Sequence, residues 1–219
     1  MRYWVKTPRF FPILFPNIVW KLASKQPKLF LTFDDGPTEE VTYKILSILK
    51  REKVPATFFC TGNNVKIHSD IYQKILNNGH SVGNHTMNHI NGWKKNKGEY
   101  LKDVKEASQY INSNLFRPPY GKLNILALPS LLKSYKVVVW DVLSGDFDFT
   151  LEVNQVIHNV IDNAQSGSIL VFHDNKKYKN STLTALPKVI TTLKKRGFGF
   201  EAIPFSLCLL YTSPSPRDA

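Results

Sequence analysis

Short apolar runs rich in β-branched and aromatic residues alternate with amphipathic stretches along most of this chain. No other feature limits its fold as strongly. Residues 28–33, 56–60, 81–84, 115–116, 136–142, 168–172 and 198–203 read as strands. Residues 39–51, 70–78, 99–112, 151–163 and 186–196 read as helices, and 125–134 as a further helix interrupted by Pro129. In the first helix Val41, Ile45, Ile48 and Leu49 share a face behind Thr38 as N-cap. Gly79 stops the second, and Val153, Val156, Ile157, Val160 and Ile161 form the apolar set of residues 151–163. Such alternation calls for an α/β domain with parallel strands and outer helices. Seven strands in this length suit a small or incomplete barrel better than a full eightfold one.

No Ser/Gly-rich linker, charge block or internal repeat divides the 219 residues, so residues 28–207 are expected to form one domain. Residues 1–27 are basic and aromatic, and their apolar part, 10–20, is broken by Pro12 and Pro16. That part is shorter than the ~20 residues of a membrane span and lacks a signal-peptide pattern. It is expected to pack on the domain, with a peripheral membrane contact as second reading. Residues 208–219 resemble the translation of a sequencing-library adaptor, and a disordered, non-native tail is expected there. Twenty-nine Lys+Arg against 17 Asp+Glu give a net charge of +12, scattered rather than blocked. The basic surface suits solvent, an acidic envelope polymer or anionic lipid, and no basic-aromatic module of a nucleic-acid binder is present. Cys60 and Cys208 form neither a disulfide framework nor a thiolate metal site.

The chemistry gathers after the strands. Asp34 and Asp35 follow the first, ahead of Gly36-Pro37, which reads as a sharp exit from the strand. Two adjacent carboxylates are costly unless a cation or proton offsets them. His85 and His89 follow the third strand, Arg117 and Tyr120 the 115–116 run, Asp146 the 136–142 run, and His173 and Asp174 the 168–172 run. In barrel-like α/β folds these ends meet on one face. Read singly, Asp-Asp-Gly-Pro is an ordinary turn, a histidine pair is structural, and Asp146, Arg117 and Asp174 are fold-stabilising ions. Read together, two histidines spaced i, i+4 and a carboxylate suit Zn²⁺ or a related divalent ion with open positions. Such an ion lowers the pKa of its bound water from 15.7 to roughly 7. Asp34 and His173 are left over as a base and an acid.

Five ordered motifs then give the chain a family resemblance. They are Thr32-Phe33-Asp34-Asp35-Gly36, His85-Thr86-Met87-Asn88-His89, Arg117-Pro118-Pro119-Tyr120-Gly121, Trp140 to Phe147, and Ile169-Leu170-Val171-Phe172-His173-Asp174. Over about residues 28–203 the chain resembles the polysaccharide deacetylases, carbohydrate esterase family 4, also called the chitooligosaccharide deacetylase homology domain. The resemblance implies a distorted, incomplete (β/α)7 barrel and a hydrolase that removes acetyl groups from N-acetylated sugars. By motif position Asp35, His85 and His89 bind the metal, most simply Zn²⁺, with Co²⁺, Ni²⁺ or Mn²⁺ as alternatives. Asp34 is the base toward a metal-bound water, Arg117 orients it, and the Tyr120 backbone N–H stabilises the oxyanion. His173 is the acid and Asp146 supports its charge. Phe147 stands where the family usually has Trp, and Val171 where it usually has Leu. Both keep an apolar wall, one for the histidine and one for the acetyl methyl.

Trp140, Trp93 and Tyr120 are candidates to stack on a sugar, although Trp140 and Trp93 read first as core residues. Residues 91–100 read as a basic loop at the site rim. The implied substrate is an N-acetylated envelope glycan or glycolipid headgroup, handled by a monomer with no nucleic-acid partner. A deformylase or amidase acting on a lipid-linked sugar is the alternative enzyme. A catalytically inactive glycan-binding scaffold is the non-enzymatic alternative, and it would be expected to lack Asp34, His173 or a metal ligand. The family's envelope substrates argue for export or membrane association, while the missing signal-peptide pattern argues against simple secretion.

Overall fold

The structure is a computed structural model that describes residues 3–204. The proposed adaptor-derived tail and Cys208 lie outside the described residues. In chain order the elements begin with α1 (Phe10–Leu14), β1 (Ile18–Val19), β2 (Lys28–Asp34), α2 (Glu39–Glu52), β3 (Thr57–Cys60), α3 (Gly62–Ile67), α4 (Ser69–Asn77) and β4 (Ser81–Asn84). They continue with α5 (Lys97–Ala107), β5 (Leu115–Phe116), α6 (Leu128–Leu131), β6 (Lys136–Val138), β7 (Val142–Leu143), α7 (Val153–Ile161), β8 (Ile169–His173), α8 (Lys179–Lys195) and β9 (Gly199–Phe200).

All named strand pairs are parallel, in the order β1-β6-β5-β4-β3-β2-β8-β7, with β9 paired to the start of β2. The predicted strand 136–142 is broken in two. Its first half, β6, pairs with β1 and β5, and its second half, β7, pairs with β8. At the break Val139 N donates to Val19 O and Asp141 N donates to Ile169 O, so the two halves serve opposite ends of the sheet. Counting β6 and β7 as one broken strand, β2 to β9 supply seven positions of a distorted, incomplete barrel.

Residues 3–21 fill the seam that this break leaves. Val5 and Thr7 pair antiparallel with the β7 region through Leu143 N to Val5 O and Thr7 N to Asp141 O. Lys6 Nζ donates to Asp141 Oδ2 at 2.7 Å, and β1 covers the free side of β6. The β7 edge and the free side of β6 are thereby paired rather than left open.

Strand alternation sorts the barrel into an inside and an outside. Leu31, Phe33, Leu170 and Phe172 face outward into the main core beneath α2, α4, α7 and α8. Phe30, Phe59, Leu115, Val138 and Ile169 face inward as a small apolar floor closed by Ile203. Thr32, Asp34, Val171 and His173 occupy the same inward parity, nearer the C-terminal ends of β2 and β8. The site therefore stands on a filled barrel.

Several boundaries differ from the sequence reading. α5 begins at Lys97 because Asn96 and Glu99 form a reciprocal capping box, worth about 1 kcal/mol. The 125–134 helix shrinks to a 3-10 turn followed by α6, with Pro129 in its first turn. α8 begins at Lys179 and runs through Pro187. In α2, Leu46 is buried and Ile48 only half-buried. Thr38 occupies the N-cap position of α2 without capping it, because its hydroxyl donates instead to Asp174 O at 2.7 Å.

Candidate active site

The turn after β2 sets the geometry. Asp34 ends the strand pointing inward, and Asp35 takes φ +84°, which swings its carboxylate toward β4. Gly36 is needed for space rather than for a left-handed turn. A Cβ there would lie 1.8 Å from the Asp174 carboxylate. Asp174 Oδ1 accepts from Gly36 N at 2.8 Å and Oδ2 from Thr42 Oγ1 at 2.7 Å, while Asp174 N donates to Asp34 O. Asp174 thus ties β8 to the turn with no ion partner among the described residues, and burial pushes its carboxyl up to about 7.

Asp35, His85 and His89 converge, with one ligand atom from each within 4.8 Å of the others. Asp35 Oδ1 lies 3.0 Å from His89 Nε2 and 3.8 Å from His85 Nε2. These distances bracket the ~3.4 Å between two donors that each sit about 2.0–2.1 Å from a tetrahedral ion. His85 Nδ1 is 2.7 Å from Arg117 O, which holds the proton there and leaves the Nε2 lone pair facing the cluster. Burial lowers His85 to about 4, keeping it neutral, as a metal ligand must be. His89 Nδ1 lies 3.1 Å from the Tyr120 hydroxyl. Two imidazoles and a carboxylate fit Zn²⁺ or a neighbouring divalent ion.

Two buried pairs flank this cluster. The Arg117 guanidinium, fully buried over the Phe59 ring at 4.0 Å, donates to Asp34 Oδ1 at 2.6 Å, Thr32 Oγ1 at 2.7 Å, Val138 O at 3.3 Å and Val139 O at 2.8 Å. On the other side Asp146 Oδ1 meets His173 Nδ1 at 2.7 Å, while Oδ2 accepts from His173 N at 2.8 Å and Thr182 Oγ1 at 2.7 Å. Burial disfavours the charged His173 ring, but Asp146, joined by Asp35 and Asp34, outweighs burial, and the ring is pushed up to about 10. The Phe147 ring stands edge-on to His173, 5.3 Å between centroids. Val171 is fully buried in the inward layer of β8, two positions before His173.

Of the aromatic candidates, Trp140 is half-buried against Gly121, where a Cβ would come within 2.7 Å of the indole. Trp93 is not a core residue. It is 71% exposed, with Lys122 over its ring at 5.2 Å. It stands in an exposed stretch, residues 93–99, outside the apolar clusters. Tyr120 is 60% exposed, with φ +60°. Among the described residues five non-glycines have positive φ, and four of them are Asp35, Thr86, His89 and Tyr120. Backbone strain is concentrated in the turns that aim the cluster.

The sequence reading missed two side-chain roles. Asn175 Nδ2 donates to Asp35 Oδ2 at 3.0 Å, which turns Oδ1 toward the histidines. The Tyr120 hydroxyl supports His89. Asn175 lies one residue past a motif already singled out and Tyr120 inside another, but nothing in their spacing showed where their polar ends would reach. An open cavity of about 320 Å³ leads in, lined by Asp35, His89, Asn63, Asn88, Tyr120 and Lys177. A larger groove of about 690 Å³ beside Tyr72 and Tyr110 holds no carboxylate, imidazole or cation and is remote from this chemistry.

A profile of the polysaccharide deacetylase family matches residues 21–137. A peptidoglycan-N-acetylglucosamine deacetylase of Bacillus cereus is 30% identical over 193 residues, 85% of this chain and 91% of that protein. The chain belongs to the polysaccharide deacetylase family. A chitooligosaccharide deacetylase of Rhizobium leguminosarum bv. trifolii is 31% identical over 200 residues, covering 83% of this chain and 93% of that one. Among solved structures, a peptidoglycan N-acetylglucosamine deacetylase in complex with 4-naphthalen-1-yl-N-oxidanyl-benzamide superposes with a TM-score of 0.83 at 30% identity, covering 90% of this chain and 95% of that one. These deacetylases are hydrolases acting on the carbon-nitrogen bonds of N-acetylated sugars, and the family likeness extends to the distorted barrel.

Proposed function

We propose that this polysaccharide deacetylase removes acetyl groups from N-acetylglucosamine units of an envelope glycan with the help of a divalent metal, Zn²⁺ first. One observation carries the reading. The Asp35/His85/His89 cluster lies between a buried Asp34–Arg117 pair and a buried Asp146–His173 pair at one end of the barrel. A divalent cation bound by the cluster supplies Lewis acidity toward a water and the acetyl carbonyl.

The chain's own residues do the rest. Asp34, fixed by Arg117, accepts the proton of the attacking water. The Tyr120 backbone N–H donates to the oxyanion, a contribution whose loss costs roughly 3 kcal/mol in comparable sites. His173, held charged by Asp146, protonates the departing amine at neutral pH. Phe147 shields the His173 ring from water, and Val171 offers apolar surface to the acetyl methyl. Trp93 and Tyr120 lie where a longer glycan would cross the rim.

The test is acetate release from N-acetylglucosamine oligomers and from peptidoglycan, before and after chelation and re-addition of Zn²⁺. Acetate that disappears on chelation and returns with the ion is expected. Formate from N-formylated sugars, with no acetate from a folded and metal-loaded protein, would move the assignment to a deformylase. Loss of Asn175 gives a separate check on the cluster. Asn175→Ala frees Asp35 Oδ2, and Zn²⁺ affinity measured by calorimetry should fall about 10–100-fold. Unchanged affinity would remove Asn175 from the site's support.

A further inference from the structure

Residues 3–14 carry an apolar surface that the barrel does not cover. Trp4, Phe10, Ile13 and Leu14 are 61, 50, 78 and 64% exposed, and α1 buries none of its residues. The surface is built rather than scattered. Trp4 stands edge-on to Phe10 and Phe11 at 6.5 and 5.5 Å, Phe10 stacks on Phe11 at 4.6 Å, and Phe11 stacks on Trp20 at 5.4 Å. Its root is fixed by the pairing of Val5 and Thr7 with the β7 region. An exposed apolar cluster on a firmly held segment marks an interaction surface.

Cations border it. A groove of about 480 Å³ beside α1 is lined by Lys6, Arg9, Pro12, Trp20, Lys21 and the carboxylate Asp141, with Asp162 at its far side. Asp141 is already neutralised by Lys6, and Asp162 sits between His158 and Arg196. Arg9 has no ion pair among the described residues, and Lys21 donates only to the neutral Gln165 Oε1, at 3.2 Å. Burial lowers the Lys21 ammonium below its ordinary value, Asp141 opposes this, and Lys6 and Arg9 add to it, so the positive charges are close enough to feel one another.

We propose that this flank docks on the surface of a bilayer bearing anionic headgroups, with Trp4, Phe10, Ile13 and Leu14 entering the interfacial region and Arg9 and Lys21 meeting lipid phosphates. Aromatic and branched apolar side chains edged by cations are the composition of an interfacial anchor. The net charge of +12 draws the whole chain to a negative surface. No helix among the described residues is long and apolar enough to cross a membrane, so the contact is one of lying on the surface. A second copy is the poorer occupant, because a two-fold contact through this patch would bring Arg9 and Lys21 against their own images. The docking does not depend on the deacetylase chemistry.

The experiment is co-sedimentation of the full chain with phosphatidylcholine vesicles and with vesicles enriched in phosphatidylglycerol, at low and high salt. Binding to the anionic vesicles that weakens with salt is expected, with a blue shift of tryptophan emission as Trp4 leaves water. Ile13→Asp with Leu14→Asp should lower the partition about tenfold or more, and Arg9→Glu should lower it less while flattening the salt dependence. All three positions are exposed, so the thermal midpoint should hold. If the double variant unfolds, the wild-type emission shift and salt dependence still decide. No binding at low salt, equal binding to both vesicle types, or binding indifferent to the double variant would overturn the proposal. A concentration-dependent dimer that the double variant abolishes would give the patch to a second copy instead.

Discussion

Replacing Arg117 by Met is expected to cost about 3–5 kcal/mol of stability, because it leaves a buried carboxylate without its counter-charge. Asp34 is 3% exposed and has Arg117 as its ion partner at 2.6 Å. The guanidinium also serves Thr32 and the carbonyls of Val138 and Val139, at the point where the broken strand passes from one end of the sheet to the other. Methionine fills much of the volume over Phe59 but returns none of those bonds. Lysine keeps the charge, yet its single ammonium cannot reach four divergent acceptors, so Arg117→Lys should also lose stability. Adding Asp34→Asn to Arg117→Met should recover part of the loss, since a buried amide costs less than an unpaired anion. About 1–3 kcal/mol should remain for the two orphaned carbonyls. Urea unfolding of the two single variants and the double closes the cycle. A loss below about 1 kcal/mol in Arg117→Met would mean that water reaches Asp34, and the fixed orientation required of a base would go with it.

The residues of the site were legible because the chain places them just beyond apolar strands, and strand ends of a parallel barrel converge. That argument needs only local pattern and topology. It reached Asp34, Asp35, His85, His89, Arg117, Asp146 and His173. It failed where the deciding contact comes from far along the chain. Thr38 has the residue type and place of a cap, but Asp174 takes its hydroxyl. Gly36 reads as a turn glycine, but the approach of Asp174 is what excludes a side chain. The 136–142 run reads as one strand because its apolar pattern is continuous, while its hydrogen bonds change partner at Val139–Trp140. The start of α5 was a local miss, since Asn96 and Glu99 stand at capping-box spacing in the sequence. Trp93 reads first as a core residue for its hydrophobicity although it lies in the basic 91–100 loop, and the structure leaves it exposed. Asn175 carries no signal at all until β8 delivers it beside Asp35.

Asp146→Asn should cut acetate release at pH 8 by about 10²–10⁴-fold, the usual worth of a positioned general acid, and acid should partly restore it. In the folded chain Asp146, with Asp35 and Asp34 behind it, keeps His173 protonated up to about 10, against the opposing effect of burial. With an amide in its place the main support of the charged ring is gone, while burial still opposes it and only Asp35 and Asp34 still favour it. The ring therefore titrates lower, and at pH 8 more of the amine leaves without a donor. A cation at the Asp35 cluster lowers the ring in both proteins and leaves the sign of the difference unchanged. The alkaline limb of kcat/KM should therefore lie at lower pH in the variant, and the gap to wild type should narrow as pH falls from 8 toward 6. Simple loss of packing would lower activity at every pH alike. The same shift has a sign in stability. A folded pKa above the unfolded value stabilises fully below about 6.5, and that contribution is lost as pH rises through about 10. The wild type should thus exceed Asp146→Asn most at acid and neutral pH and least near pH 10. The His173 ring resonance in metal-free protein reads the charge directly, protonated at pH 8 in wild type and titrating at lower pH in the variant. A limb and a resonance that stay where they are would move the departing proton to another group, and Asp146 would be left with Thr182 and the His173 backbone as a support of the β8 end alone.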